Sequence, residues 1–325
     1  MRRVLEVRDL CVAYGRRGGE VWRALSGVSF GVDAGEILAV LGESGSGKST
    51  LAAALLRLLP ANGRITGGEI LLEGADVVRM DAVGLRRVRG SGVSIVFQEP
   101  SLALHPTIRV GDQIGEVLRA HGTRSKRERG ERVREILTKV FASDVERMFS
   151  SYPHELSGGQ QQRVLIAQAI ACEPALVVGD EPTASLDLPT QREILALFRS
   201  LRDTLGIAFI FITHNPALLA GFADRVLVLY AGKVAEVGPT HEVLFAPQHP
   251  YTQALLKCVP QIEHGAGRKL PLPVIAGAPP SLGVLSQGCV FEPRCEERME
   301  MCPVHEPAAA MVGVGHEVSC LKFPA

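Results

Sequence analysis

Short apolar runs alternate with stretches of helical character along the first two thirds of the chain. The apolar runs have the length and composition of buried strands, and they lie at residues 37–41, 94–97, 175–178 and 207–212. Residues 49–59 have helical character up to Pro60. Because strands and helices alternate, the pattern predicts an α/β fold with a parallel sheet.

A polar segment follows each predicted strand. The first strand leads into a glycine-rich segment, and the other three are followed by Gln98, by Asp180 and Glu181, and by Thr213 and His214. Ligands of open parallel sheets bind at the carboxyl ends of the strands. We therefore expect these side chains to meet at one site suited to phosphate, metal and water.

The glycine-rich segment, residues 42–50, matches the phosphate-binding P-loop pattern G-x-x-x-x-G-K-[ST]. In this pattern backbone N–H groups surround phosphate oxygens, the lysine reaches the β- and γ-phosphates, and the hydroxyl contacts Mg²⁺. The predicted nucleotide-binding residues of this segment are Gly42, Ser44, Gly45, Gly47, Lys48, Ser49 and Thr50.

A second phosphate-binding turn is predicted at Leu156-Ser157-Gly158-Gly159-Gln160, where a hydroxyl and open backbone N–H groups precede a helix. This segment resembles the signature motif of ATP-binding cassette (ABC) ATPases. The P-loop already serves the chain's own ATP, so the signature residues Ser157 to Gln160 are expected to bind the nucleotide of a facing subunit. The resemblance implies a P-loop (RecA-like) ABC ATPase core with a helical subdomain inserted at about residues 101–158.

The ABC resemblance also implies roles for the residues at the strand ends. Asp180 is expected to hold Mg²⁺ together with Ser49, and Glu181 to act as the general base that polarises the attacking water. Gln98 matches the Q-loop glutamine, which contacts Mg²⁺ and water. His214 matches the switch histidine, which contacts the γ-phosphate.

Three further positions follow from the same resemblance. Tyr14 matches the aromatic residue that stacks on adenine, and Asp187 closes a segment that resembles the D-loop, which reaches across the dimer. The family usually has aspartate after the switch histidine, whereas this chain has Asn215. That difference keeps the imidazole but could alter its hydrogen-bonded surroundings.

Beyond Pro239 prolines become frequent and periodicity weakens, which predicts a separate carboxyl-terminal extension. The segments around His249 and Cys289 resemble the extension of ATPases in the oligopeptide/dipeptide/nickel importer family. We place the nucleotide-binding domain at residues 1–247 and the extension at 248–325. Four of the seven cysteines lie in the last forty residues of the chain, namely Cys289, Cys295, Cys302 and Cys320.

In a reducing compartment such a cysteine cluster favours metal binding over disulfides. Its spacing is not C-x-x-C, so the residues alone leave open a [4Fe–4S] cluster, tetrahedral Zn²⁺, and free or disulfide-linked thiols. The family resemblance favours the iron–sulfur cluster, with a structural role.

The composition narrows the class of protein. Lys and Arg together equal Asp and Glu, at 35 each, so no global charge indicates a nucleic-acid partner. The charged segment 124–132 is expected to be a solvated helix face. The amino terminus lacks a signal-peptide pattern, and no apolar run is long enough to cross a membrane. We expect a cytosolic chain that is peripheral to the cytoplasmic face of the cell membrane.

The leading hypothesis is an ATP-hydrolysing subunit that energises a binding-protein-dependent importer of peptides. Its expected partners are a second ATPase subunit, with a heterodimer favoured, two permeases and an extracytoplasmic substrate-binding protein. Nickel, metal chelates and other small solutes are the alternative cargoes. A soluble ABC ATPase acting on nucleic acid or ribosomes is a remote alternative, since the chain has one cassette and no heptad tract. A regulatory role of the extension stays compatible with the leading hypothesis.

Overall fold

The computed structural model describes residues 2–15, 20–123, 125–259, 273–280 and 287–324. The strands are β1 Arg3–Gly15, β2 Val21–Asp33, β3 Ile37–Leu41, β4 Gly63–Leu72, β5 Ala75–Asp76, β6 Val93–Val96, β7 Leu176–Asp180, β8 Ala208–Thr213, β9 Arg225–Tyr230, β10 Lys233–Pro239, β11 Ala310–Gly313 and β12 His316–Val318. The helices are α1 Lys48–Leu55, α2 Ala82–Ser91, α3 Pro100–Ala103, α4 Val110–Ala120, α5 Lys126–Val140, α6 Val145–Ser150, α7 Gly158–Ile170, α8 Leu188–Leu205, α9 Thr240–Phe245 and α10 Pro250–Lys257.

The central sheet has the strand order β11-β12-β10-β9-β3-β8-β7-β6. Strands β9, β3, β8, β7 and β6 are parallel, as predicted. All five residues of β3 are buried, which explains its uniformly apolar sequence, because a hydrophobic core packs on each face of the sheet, with Ile37, Ala39 and Leu41 in one and Leu38 and Val40 in the other. This architecture confirms the predicted α/β fold class.

Two predicted boundaries were wrong by a few residues. The helix after the P-loop ends at Leu55 instead of continuing to Leu59, because Leu56 leaves helical geometry and Arg57 has a φ of 50°. The third strand extends to Asp180, so this carboxylate belongs to the strand instead of following it. The apolar pattern locates the buried middle of an element but not its ends.

A second sheet of four antiparallel strands, in the order β2-β1-β4-β5, was not predicted. Strand β1 pairs with both β2 and β4, with several register shifts along each pairing. Those irregularities interrupt the alternation of buried and exposed positions that identifies a half-buried strand.

Helices α4, α5 and α6 form a helical layer that packs against α7. The apolar positions Val133, Ile136, Leu137 and Val140 give α5 one buried face. Its opposite face carries exposed i,i+4 and i,i+3 pairs such as Arg127–Glu131. The described part of segment 124–132 is therefore the solvated face that we predicted.

The extension is not structurally separate from the core, contrary to our expectation. Strand β12 pairs with β10, where Glu236 lies opposite Val318, so the β11–β12 hairpin completes the central sheet. The buried Glu236 carboxylate accepts from the backbone N–H groups of Gln248 and His249 and contacts His316 Nε2 at 2.7 Å. Sheet pairing and this buried network join the two regions.

Among the described helices, none has both the length and the apolarity that crossing a bilayer requires.

Candidate active site

The P-loop connects the carboxyl end of β3 to α1, and two of its glycines lie close to the backbone of neighbouring strands. A Cβ on Gly42 would lie 2.2 Å from the Leu229 carbonyl oxygen. Gly47 has a φ of 108°, and a Cβ there would lie 2.9 Å from the Ala24 carbonyl oxygen. Only glycine fits both positions, so these two glycines shape the loop.

Lys48 is buried inside this loop. Its Nζ donates to the carbonyl oxygens of Gly42 and Glu43, both at 2.8 Å. Burial lowers the pKa of Lys48, and three nearby carboxylates oppose that shift. The ammonium group is thus held by backbone oxygens beside the space that a phosphate would fill.

Ser49 and Asp180 lie together as a pair of oxygen ligands for Mg²⁺ should. Ser49 Oγ donates to Asp180 Oδ1 at 3.3 Å. Burial raises the pKa of Asp180, and the neighbouring Glu181 carboxylate adds to the shift. A hard divalent cation bound at these oxygens would relieve that unfavourable buried charge, so the donor set fits Mg²⁺.

Glu181 and His214 come from adjacent strands and are in contact. Glu181 Oε2 lies 3.0 Å from His214 Nδ1, with the carboxylate side chain 19% exposed and the imidazole 62% exposed. Glu181 also has a left-handed φ of 49°, a strained conformation that often accompanies functional sites. The strand ends thus deliver a shielded carboxylate and an accessible imidazole to one place.

Asn215 forms a local turn immediately after His214. Its Oδ1 accepts from the backbone N–H of Ala217 at 3.1 Å, and its own N–H donates to Thr213 Oγ1. A carboxylate oxygen could accept the same bond from Ala217. The departure from the usual aspartate therefore leaves this turn intact.

A cavity of about 570 Å³ lies above the P-loop. Its lining brings together Tyr14, Ser44, Gly45, Gly47, Lys48, Ser49, Thr50, Gln98, Glu181 and His214. Tyr14 Oη lies 3.1 Å from Thr50 Oγ1, so the ring is anchored at the start of α1. Gly42 and Asp180 are absent from the lining, and Asp180 borders a neighbouring groove next to Gln98.

The signature residues do not line this cavity, and they form a second surface with the D-loop, where a Cβ on Gly158 would lie 3.8 Å from the Leu186 side chain. Ser157 caps α7, where its Oγ accepts from Gln160 N–H while Gln160 Oε1 accepts from Ser157 N–H. A Cβ on Gly159 would lie 2.6 Å from the Thr190 side chain. Ser157 and Gly158 are exposed, which leaves this helix start accessible to another molecule.

Asp187 caps the next helix, α8. Its Oδ1 accepts from the backbone N–H of Thr190 at 2.8 Å, and this bond lowers the pKa of Asp187. The D-loop carboxylate therefore has a local structural partner, and its exposed position adjoins the signature surface.

The four predicted cysteine ligands, Cys289, Cys295, Cys302 and Cys320, lie in one region of the extension. Cys289 N–H donates to the Cys302 carbonyl oxygen at 2.8 Å. Burial raises the pKa of Cys289, Cys295 and Cys320, and repulsion among the four thiolates adds to the effect. Within the described residues, no three His, Cys, Asp or Glu side chains are arranged to hold a metal ion. Thiolates are the ligands that iron–sulfur clusters and Zn²⁺ take, so these cysteines have the donor chemistry but not an assembled metal site in this structure.

Sequence reasoning missed two residues that contact the P-loop. Tyr251 Oη accepts from Glu43 N–H at 2.9 Å, and Arg294 forms two hydrogen bonds to the Glu43 carboxylate. These residues are 208 and 251 positions from Glu43 along the chain. No local pattern could have indicated either contact.

Two known families match this chain, one in the nucleotide-binding domain and one that reaches into the carboxyl-terminal extension. Residues 25–184 match the ABC transporter family, and residues 235–302 match the carboxyl-terminal region of oligopeptide/dipeptide transporters. The second match begins within β10, the strand that pairs with β12 of the extension, and it ends at Cys302.

Similar sequences extend over nearly the whole chain. The dipeptide transport ATP-binding protein DppD of Bacillus subtilis (strain 168) is 40% identical over 321 residues, which cover 98% of this chain and 95% of that protein. The oligopeptide transport ATP-binding protein OppD of Escherichia coli (strain K12) is 41% identical over 304 residues, covering 94% and 89%. The chain therefore belongs to the ABC transporter ATP-binding subunits with an oligopeptide/dipeptide-type carboxyl-terminal region, as its motifs predicted.

Solved structures agree with this assignment. The dimeric ABC transporter cassette MJ0796 has a TM-score of 0.64 and 29% identity, covering 73% of this chain and 98% of that one. The same cassette in a post-hydrolysis state bound to ADP and Pi has a TM-score of 0.63 and 29% identity, with the same coverage. These similarities and the family assignment identify the chain as an ATPase coupled to transport.

Proposed function

We propose that this chain hydrolyses ATP to energise a binding-protein-dependent importer whose cargo is peptides. The observation that carries the proposal is the convergence of Lys48, Glu181 and His214 on one cavity at the ends of parallel strands. The cargo is inferred from relatives named for dipeptide and oligopeptide transport.

In this proposal each group around the cavity has a distinct task. Lys48 and the P-loop N–H groups bind the phosphates, and Tyr14 supports the adenine ring. Bound Mg²⁺, held by Ser49, Asp180 and Gln98, would neutralise charge on the phosphate oxygens.

The contact between Glu181 and His214 supports separate roles for these two residues in hydrolysis. Glu181 Oε2 accepts a proton from the attacking water, and the imidazole of His214 orients this carboxylate from 3.0 Å away. The partly shielded position of Glu181 excludes competing water from its carboxylate, while exposed His214 can reach the γ-phosphate.

The signature surface is proposed to complete the site of a second ATPase subunit. Its capped helix start, at Ser157 and Gly158, offers N–H groups to an anion, but it lies outside the chain's own cavity. A dimer in which each signature faces the other P-loop uses both phosphate-binding turns. The dimeric cassette among the similar structures supports the pairing of two cassettes, and we propose that the second cassette here is a related ATPase, which makes a heterodimer.

The surface that follows the Q-loop is proposed to contact the cytoplasmic loops of one of two permeases at the cytoplasmic face of the membrane. Phe97 and Leu102 are 49% and 81% exposed beside Gln98, and they border an apolar groove. Exposed apolar side chains of this size are typical of a protein contact. Their proximity to Gln98 links permease movement to the nucleotide site, and an extracytoplasmic binding protein would deliver the cargo.

The gathered thiols are proposed to hold a [4Fe–4S] cluster with a structural role, with Zn²⁺ as the alternative. Cys289, Cys295, Cys302 and Cys320 supply the four thiolates that such a cluster takes. Anaerobic purification followed by iron, sulfide and zinc analysis tests this assignment. Iron and sulfide in equal amounts are expected, stoichiometric zinc would favour the alternative, and the absence of all three would overturn both.

The importer proposal is tested by isolating the partners of the chain. A tagged Glu181→Gln variant is incubated with detergent-solubilised native membranes and Mg-ATP, and captured proteins are identified. Recovery of two permeases and a second ATPase is expected, and a co-purified binding protein can be screened with peptides, nickel and metal chelates. Recovery of soluble partners alone would refute the importer function.

A further inference from the structure

The P-loop contains a carboxylate in a position where negative charge opposes phosphate binding. Glu43 follows Gly42 directly, and its carbonyl oxygen accepts from Lys48 Nζ at 2.8 Å. Its side chain is 25% exposed, so solvent screens the charge only in part. Left without a counter-charge, this carboxylate would repel the polyphosphate that the loop binds.

Arg294 of the extension supplies that counter-charge. Its Nη1 and Nη2 donate to the two Glu43 carboxylate oxygens at 2.7 and 3.1 Å, in the bidentate geometry that guanidinium and carboxylate favour. The Arg294 side chain is only 4% exposed. A buried, bidentate pair holds its partner in a defined position far better than an exposed pair does.

The remaining donors of Arg294 hold it to the extension and to the core. Nε donates to the Ala276 carbonyl oxygen at 3.0 Å, and Nη1 donates to Tyr230 Oη at 3.3 Å. The guanidinium therefore cannot leave Glu43 without giving up several hydrogen bonds. Its position is determined by the surrounding fold and not by the P-loop alone.

An aromatic cluster beneath Arg294 fixes the same region. The rings of Tyr230, Tyr251 and Phe291 have centroid distances of 4.4 to 5.4 Å, and all three side chains are buried. Tyr251 Oη accepts from Glu43 N–H, so both the backbone and the side chain of Glu43 are bound from outside the P-loop. Phe291 and Arg294 belong to one short segment of the extension.

We propose that Arg294 is a positioning residue of the ATP site, which holds the Glu43 carboxylate and neutralises its charge so that the P-loop can bind polyphosphate. The extension then contributes directly to nucleotide affinity. This inference rests on the P-loop being the ATP site, as the family assignment states.

The test measures MgADP affinity by calorimetry, because ADP binds the P-loop without being hydrolysed. Arg294→Gln should weaken binding about ten-fold, equivalent to about 1.4 kcal/mol, because the freed carboxylate repels phosphate across a partly screened distance. The loss should diminish at high salt, which screens this repulsion. Unchanged affinity in a folded Arg294→Gln protein would overturn the proposal.

The double variant Glu43→Gln/Arg294→Gln separates charge neutralisation from general stability. It removes both charges, so affinity should return close to that of the unmodified chain. Affinity as weak as in Arg294→Gln would overturn the charge argument. If Arg294→Gln does not fold, Glu43→Gln decides the question, since binding should be as tight or tighter, and weaker binding would overturn the proposal.

Arg225→Gln is the matched control, because Arg225 also forms a partly buried ion pair, with Glu36 at 3.0 Å. Glu36 directly precedes β3, at the end of the strand opposite the P-loop. This variant should lower the melting temperature but keep MgADP affinity. Equal weakening in both arginine variants would indicate general destabilisation and overturn the proposal. Lys48→Ala tests the underlying assignment separately, since retained nucleotide binding there would refute the P-loop site itself.

Discussion

Replacing Glu181 with glutamine removes the proposed general base while keeping the shape of the side chain. Glutamine also has the same backbone preferences, so the left-handed φ of 49° at this position stays equally strained. The amide can still hydrogen-bond His214, which lies 3.0 Å from the carboxylate. The substitution therefore isolates proton acceptance from packing and from the orientation of the imidazole.

The expected loss follows from the role assigned to the carboxylate. A positioned general base contributes about 10²- to 10⁴-fold to the rate, which corresponds to about 3–5 kcal/mol of activation free energy. We expect kcat for ATP hydrolysis to fall within this range. Nucleotide affinity should persist, because the P-loop and Lys48 are unchanged.

The assay is steady-state phosphate release at saturating Mg-ATP, combined with size-exclusion chromatography in ATP. Together with the related ATPase proposed as its partner, the variant should accumulate as an ATP-bound dimer, since hydrolysis no longer reopens it. Glu173→Gln is a matched control, because Glu173 also has a φ of 49° but pairs with Arg132 and Lys139 in the helical layer. Turnover in Glu181→Gln equal to that of this control would refute the general-base assignment.

Substitutions at three further positions test other parts of the site. Ser157→Arg should keep ATP binding but block dimer closure, whereas Ser157→Thr keeps the helix cap, so its dimer should still close. ATP binding is measured by calorimetry on the isolated chain. Loss of binding in Ser157→Arg would contradict the signature assignment. Asp180→Asn should raise the melting temperature of the nucleotide-free protein. Folding raises the pKa of Asp180, so its ionised form opposes folding at neutral pH. In the unmodified chain this lost stability is regained only as the pH falls. The same variant should lose the extra stabilisation by Mg-ATP over ATP alone, and a melting temperature that still responds to Mg²⁺ would argue against Asp180 as a ligand. Tyr14→Ala should weaken ATP binding by about 1–3 kcal/mol through lost stacking, while Tyr14→Phe should stay close to normal; equal losses would assign the effect to the Thr50 hydrogen bond instead.

The strand-end groups were predictable because each lies next to its own strand in the sequence. The buried strands β7 and β8 are recognisable from uninterrupted apolar runs, and Glu181 and His214 follow them directly. The parallel sheet then brings its carboxyl ends to one edge, so their proximity follows from fold class alone. The antiparallel sheet escaped prediction because irregular pairing obscures its alternating pattern.

The sequence by itself determined the family, the parallel sheet and most of the residues that line the cavity above the P-loop, because each depends on a local pattern of a few neighbouring residues. Only the tertiary structure decided that the extension joins the central sheet and that Arg294 reaches Glu43. Those contacts join residues separated by most of the chain, and the free energy of each depends on burial and geometry that local patterns do not encode. The contact between the cysteine-bearing extension and the P-loop is therefore a property of the folded chain.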